Sequence, residues 1–165
     1  MRRVLVVLSV IVGIVSAAFV IAPLAAPYGS YLGLDGVPGF VDHGWGLTDV
    51  AYLLGDFLCH QMEDRSFIIN GSQMPVCVRD FGLLTGFSIG AAVCSACLQV
   101  LRFRIIPIIA LAMVLVTVVE WAVEPAVGDY PVLRFATGII SGAGAALLTA
   151  WMLDLSVRRN EQADA

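Results

Sequence analysis

The sequence predicts an all-α integral membrane protein with four transmembrane helices. An ordered extracytoplasmic loop is expected to hold a short interfacial helix and a small hairpin. Three observations carry that expectation. Hydrophobic residues make up 59% of the 165-residue chain and charged residues 13%, with a mean hydropathy of +0.91. A soluble domain of this size could not hide so much apolar surface. The apolar residues gather in long runs that match the roughly 30 Å hydrocarbon core. Six of the nine basic residues, all Arg, stand as three pairs at the ends of those runs. The length suits one membrane domain, residues 1–165. A net charge of −4 argues against nucleic acid as a partner.

The first span is expected over residues 4–26. Val4 to Ala22 carries no charge over 19 residues. Arg2 and Arg3 precede it, as in a secretory signal, but the apolar part of a signal is usually about 7–15 residues. Retention as a helix is therefore expected. Residues 27–80 form the outer loop, with a Gly- and Pro-rich stretch from Pro27 to Gly46. Thr48 to His60 is apolar but carries Asp49 and Asp56 and is too short to span. It reads as the interfacial helix, with Thr48 as its N-cap. Ile68-Ile69-Asn70-Gly71 is a tight-turn signal and predicts the hairpin.

The second span is expected over 81–101, with Asp80 at the N-cap. Gly82, Gly86 and Gly90 fall four apart on one face, which lets a second helix approach closely in lipid. The third span covers 105–124, followed by a turn from Pro125 to Pro131. The fourth covers 132–153, with Gly138 and Gly142 again four apart. Arg2/Arg3, Arg102/Arg104 and Arg158/Arg159 then share one side, six Arg against three elsewhere. The positive-inside rule makes that side cytoplasmic. The expectation is a multi-pass protein of the cell membrane with both termini inside.

This topology gathers polar residues at the outer face. Cys59, His60, Cys77 and Asp80 are types that ligate zinc, which takes thiolate, imidazole and carboxylate. Zinc is the cofactor they suit, with His43 as a further ligand candidate. Neighbouring helical side chains diverge by about 100°, so Cys59 and His60 could both ligate only where the helix ends. A Cys59–Cys77 disulfide, favoured by an oxidising exterior, is the alternative. Two unrelated thiols is the third. Glu120, Glu124 and Arg134 fall at the outer ends of the third and fourth spans and are the candidate catalytic groups. A lone carboxylate at membrane depth costs about 2.5–3.5 kcal/mol, so a partner is expected, and Arg134 is the obvious one. Cys94 and Cys97 form a Cys-x-x-Cys inside a span, among Ala91, Ala92, Ala96 and Leu98. Those surroundings suit packing rather than an activated thiol. Arg65, Ser66, Asn70 and Gln73 suit either an anion or bonding within the loop, and Glu63 and Asp64 beside Arg65 favour the loop.

Cys59-His60-Gln61, Arg65-Ser66-Phe67, Gly71, Pro75-Val76-Cys77 and Arg79 resemble the signature of an uncharacterised membrane-protein family, domain of unknown function 2085. Arg134 with Thr137-Gly138 is also similar. The resemblance covers roughly residues 58–142. It implies a small multi-helix membrane protein. Gln61, Arg65, Ser66, Asn70, Gly71 and Arg79 are read separately as loop-organising residues. The resemblance brings no established activity. Where that family carries a second Cys after Pro-Val-Cys-x-Arg, this chain has Asp80. A dithiol at that point is lost, whereas metal binding survives, because carboxylate can replace thiolate on zinc.

Three functions fit this reading. The first is a membrane protein with a metal-binding or disulfide-stabilised Cys/His site at the extracytoplasmic face. The second is a membrane thiol–disulfide or quinone-linked oxidoreductase. The third is a structural or accessory subunit of a membrane complex. The bilayer is the expected partner throughout. The small-residue faces also suit a membrane-protein partner or a homo-oligomer.

Overall fold

The structure, a computed structural model, describes residues 1–34, 46–128 and 130–163. The chain is mostly helical. In order it forms α1 (Arg2–Ala25), α2 (Leu47–Leu58), β1 (Ile68–Ile69), β2 (Ser72–Gln73), α3 (Val78–Ala96), α4 (Ile106–Val127) and α5 (Pro131–Ala163). Short 3-10 turns lie at Glu63–Arg65 and Leu98–Arg102. Among the described residues, α1, α4 and α5 are long and apolar enough to cross a membrane. The 19 residues of α3 include Arg79 and Asp80 in its first turns, and α3 is not one of those three.

Several boundaries differ from the sequence expectation. α2 starts one residue before Thr48, and Gly46 takes the N-cap, its N–H bonded by Asp49 Oδ2 at 3.0 Å. α3 starts at Val78, so Cys77 occupies the N-cap and Asp80 lies inside the first turn. That helix stops at Ala96 and tightens into the 3-10 turn. α4 runs through Pro125 to Val127. Proline there removes one N–H near the helix end, where little helix remains to be disrupted. Gly128, at φ 98°, then closes the helix by donating to the Glu124 carbonyl at 2.9 Å. α5 continues ten residues past the expected end, because Asp154 and Arg158 pair one turn apart on its polar extension.

The chain divides into two compact units. One comprises Met1–Gly13 and Gly82–Ala165. In it α3 and α5 cross almost backbone to backbone. A Cβ on Gly86 would lie 2.1 Å from the Ile139 carbonyl oxygen, and one on Gly142 would lie 2.1 Å from that of Leu83. Gly82 and Gly138 belong to the same seam, and Gly90 faces Ala143. Small residues are the means by which helices approach in lipid, where no hydrophobic drive separates one apolar face from another. Polar side chains add to this. Ser9 Oγ donates to the Ser88 carbonyl at 2.8 Å, and Ser88 Oγ returns the bond to Ser9 at 2.9 Å. Ser141 Oγ, on α5, reaches the Met113 carbonyl at 2.9 Å and Thr117 Oγ1 at 2.6 Å, both on α4. Leu5, Cys94, Leu101, Ile106 and Ala150 pack as a buried apolar cluster.

The other unit is Ile14–Phe81. Its hairpin pairs Ile68 with Gln73 and Ile69 with Ser72. Asn70 and Gly71 form the turn with φ of 52° and 68°. Two successive positive φ values match the right-handed twist of a two-residue hairpin, which is why Asn-Gly is favoured there. Asn70 Nδ2 also donates to the carbonyls of Pro23 at 3.3 Å and Ala26 at 3.0 Å, tying the hairpin to the end of α1. Tyr31 stacks on Tyr52, with ring centroids 3.8 Å apart. The Tyr52 hydroxyl donates to the Gln73 carbonyl at 2.7 Å, which joins α2 to the hairpin.

Candidate functional site

Two helix ends define the site. α2 terminates at Cys59, whose backbone turns extended (φ −147°, ψ 149°) while its N–H still bonds the Gly55 carbonyl at 2.8 Å. The second end is the start of α3, where Cys77 sits at the N-cap and its carbonyl accepts from the Phe81 N–H at 3.0 Å. The two meet. Cys77 N–H donates to Cys59 Sγ at 3.2 Å, and the Cys77 thiol donates to Asp80 Oδ2 at 3.1 Å. One ligand atom each from Cys59, Cys77 and Asp80 lies within 4.8 Å of the others, and all three residues are largely withdrawn from water. Both cysteines stand as thiols.

The electrostatics distinguish the sulfurs. The Cys59 thiol is held below its ordinary value, chiefly because Cys77 donates to its sulfur; burial and the Asp80 carboxylate oppose this. The Cys77 thiol is pushed well up, first by its side-chain interaction with Cys59, then by burial and the charge of Asp80. Cys59 is therefore the first thiolate of the pair. A thiolate, not a thiol, is what binds metal or attacks an electrophile.

His60 is exposed and stands outside the three-residue group. His43 lies outside the described residues. Gln61 is 1% exposed and bonds two backbone carbonyls. Ser66 Oγ donates to the Met62 carbonyl at 2.9 Å and accepts from Gln73 Nε2 at 3.3 Å. Arg65 lies 3.9 Å from Asp64, and Arg79 is half-buried in the first turn of α3.

Glu124 and Arg134 form an ion pair between α4 and α5 within the other unit, with Arg134 only 3% exposed. Glu120 and Glu124 line a cavity of about 320 Å³ together with Val116, Val119, Val123 and Leu133. Cys94 is buried and Cys97 exposed near the end of α3. Sequence reasoning passed over Gly55, which supports Cys59 through its carbonyl. A glycine within an otherwise apolar helix was the available signal.

A helical membrane protein carrying a small thiol–carboxylate cluster is the class that this fold and site define. Within that class, the chain belongs to the family of predicted membrane proteins known as DUF2085, whose model matches residues 59–148. The match opens on Cys59 and takes in Cys77, Asp80 and Arg134. A relative from Methanocaldococcus jannaschii, "Uncharacterized protein MJ1492", is 31% identical over 128 residues. The alignment covers 75% of this chain and 78% of the relative. No solved structure matches the chain.

Proposed function

We propose that this protein holds a divalent metal, zinc by its donor set, through Cys59, Cys77 and Asp80. The observation that carries the reading is the mutual approach of three ligand atoms within 4.8 Å. Two thiolates on one tetrahedral zinc stand about 3.8 Å apart, given Zn–S bonds of about 2.3 Å. The group therefore needs little movement to close on an ion. Three protein ligands leave a fourth position for water, the pattern of a catalytic rather than a structural zinc. A metal held by Cys59, Cys77 and Asp80 would supply Lewis-acid chemistry or lower the pKa of a bound water.

In this reading α1, α3, α4 and α5 all span the cell membrane. α3 joins them because Arg79 and Asp80 lie at its very start, where charged groups reach the interface. Both termini are cytoplasmic by the three Arg pairs. The cluster then faces the extracytoplasmic side. α2 lies along the interface with Leu47, Val50, Leu54 and Phe57 turned outward, all exposed large apolar residues.

The test is metal content. Protein purified without chelator is assayed for zinc beside Cys59→Ser, Cys77→Ser and Asp80→Asn. The reading expects about one zinc per wild-type chain and less in each variant. Unchanged metal across all three variants would sink it. A disulfide is the second reading, supported by the approach of the Cys59 and Cys77 sulfurs to within 4.8 Å. An oxidising compartment would favour it.

A further inference from the structure

Cys59 and Cys77 arrive on separate segments, and what holds those segments together is a knot two residues from each sulfur. Its centre is Gln61. Nε2 of this buried side chain donates to the Pro75 carbonyl at 2.8 Å and to the Tyr52 carbonyl at 3.2 Å. Its own carbonyl accepts from Gln73 Nε2. The Gln61 backbone sits at φ 46°, in the left-handed region that residues with a side chain rarely adopt. Such strain persists only where surrounding contacts impose it, and it gathers at functional sites.

Gly55 completes the knot. A Cβ there would lie 2.0 Å from the Pro75 carbonyl oxygen and 2.7 Å from Gln61 Nε2. Only glycine lets the chain entering α3 come this close to α2. The Gly55 carbonyl meanwhile receives the Cys59 N–H. Gly55, Gln61 and Pro75 thus fix the backbone leading to both cysteines, while the Gln61 amide itself bonds neither sulfur.

We propose that Gln61 is the positioning residue of the Cys59–Cys77–Asp80 cluster, its amide stapling the two cysteine-bearing segments so that both sulfurs can engage one centre. The proposal rests on reading that cluster as a site. A purely structural glutamine would satisfy the same carbonyls, and its loss would register in stability alone. A positioning glutamine acts on the thiol pair. Outer-shell partners of metal ligands typically govern about 10–100-fold in metal affinity.

The experiment uses the full chain in detergent micelles, with Gln61→Met as an isostere lacking both donors. Phenylarsine oxide, whose arsenic must bond two sulfurs at once, reports on the pair without any metal. Cobalt(II) reports on coordination through its thiolate charge-transfer band. Helix content and thermal midpoint report on the fold. The expected result is arsenical capture slowed about tenfold or more, and a weakened cobalt band, at an unchanged thermal midpoint. Capture by Gln61→Met at the wild-type rate would overturn the proposal. Should Gln61→Met not fold, Gln61→Glu, of equal size but without the donor, gives the same two answers. Wild-type protein that captures the arsenical but binds neither cobalt nor zinc, with the variant still slow, would leave Gln61 in its role and remove the metal reading. Wild-type protein that captures no arsenical would overturn both.

Discussion

The backbone N–H of Cys77 donates to the sulfur of Cys59 at 3.2 Å, across 18 residues of sequence. The two thiols are unequal: interaction with the Cys77 side chain favours negative charge on Cys59, while the same interaction and burial hold the proton on Cys77.

Alkylation should read this inequality directly. In metal-free protein near neutral pH, a small maleimide is expected to modify Cys59 before Cys77, as mapped by peptide mass. Stability should follow the same asymmetry. The depressed value of Cys59 contributes stability that is present above the ordinary thiol value of 9.0 and is lost as pH falls through the folded value. The raised value of Cys77 acts the other way: its contribution is present below 9.0 and is lost as pH rises above it. The thermal midpoint of metal-free protein should therefore climb toward the ordinary thiol range and fall beyond it. Cys77→Ser should make the alkaline fall shallower. A variant that falls as steeply as wild type would contradict the assignment.

The α3–α5 seam leaves no room for a methyl group at Gly86, where a Cβ would meet the Ile139 carbonyl at 2.1 Å. Gly86→Ala should destabilise by about 1–3 kcal/mol, the usual range for overpacking. Ala112→Leu, on the exposed side of α4, should change little. Unfolding in mixed micelles measures both. Equal effects at the two positions would refute the seam.

Arg134 is 3% exposed and paired with Glu124. Removing one member of a buried pair leaves an uncompensated charge, at a cost of about 3–5 kcal/mol. Arg134→Leu and Glu124→Leu are each expected to lower stability by that order, and the double variant to recover much of it. Additive losses in the double-mutant cycle would show that the two side chains do not act as a pair.

Local chemistry was legible in the sequence, and long-range chemistry was not. Ile68 to Gly71 announced the hairpin because an Asn-Gly turn needs nothing beyond its own φ values. The long apolar runs announced the helices because composition alone decides whether a segment tolerates lipid. Helix ends were less readable. Cys77, an unusual capping residue, took the position expected for Asp80, and α4 absorbed Pro125 in its last turn. The sequence offered Cys59, His60, Cys77 and Asp80 as ligands, whereas the folded chain groups three of them and leaves His60 exposed. α2 does end before the pair, but Cys59 is then extended, and adjacent side chains of an extended backbone point to opposite sides, so His60 parts from the cluster. The knot of Gly55, Gln61 and Pro75 was beyond sequence reasoning, since nothing local pairs a helical glycine with a carbonyl 20 residues on.

Intact mass under native and denaturing conditions, on protein purified without reductant or chelator, tests the central claim most directly. The account predicts the full mass with all thiols intact when denatured, and one additional zinc when native. A denatured mass short by two hydrogens, mapped to a Cys59–Cys77 link, or a native mass with no metal adduct, would contradict it.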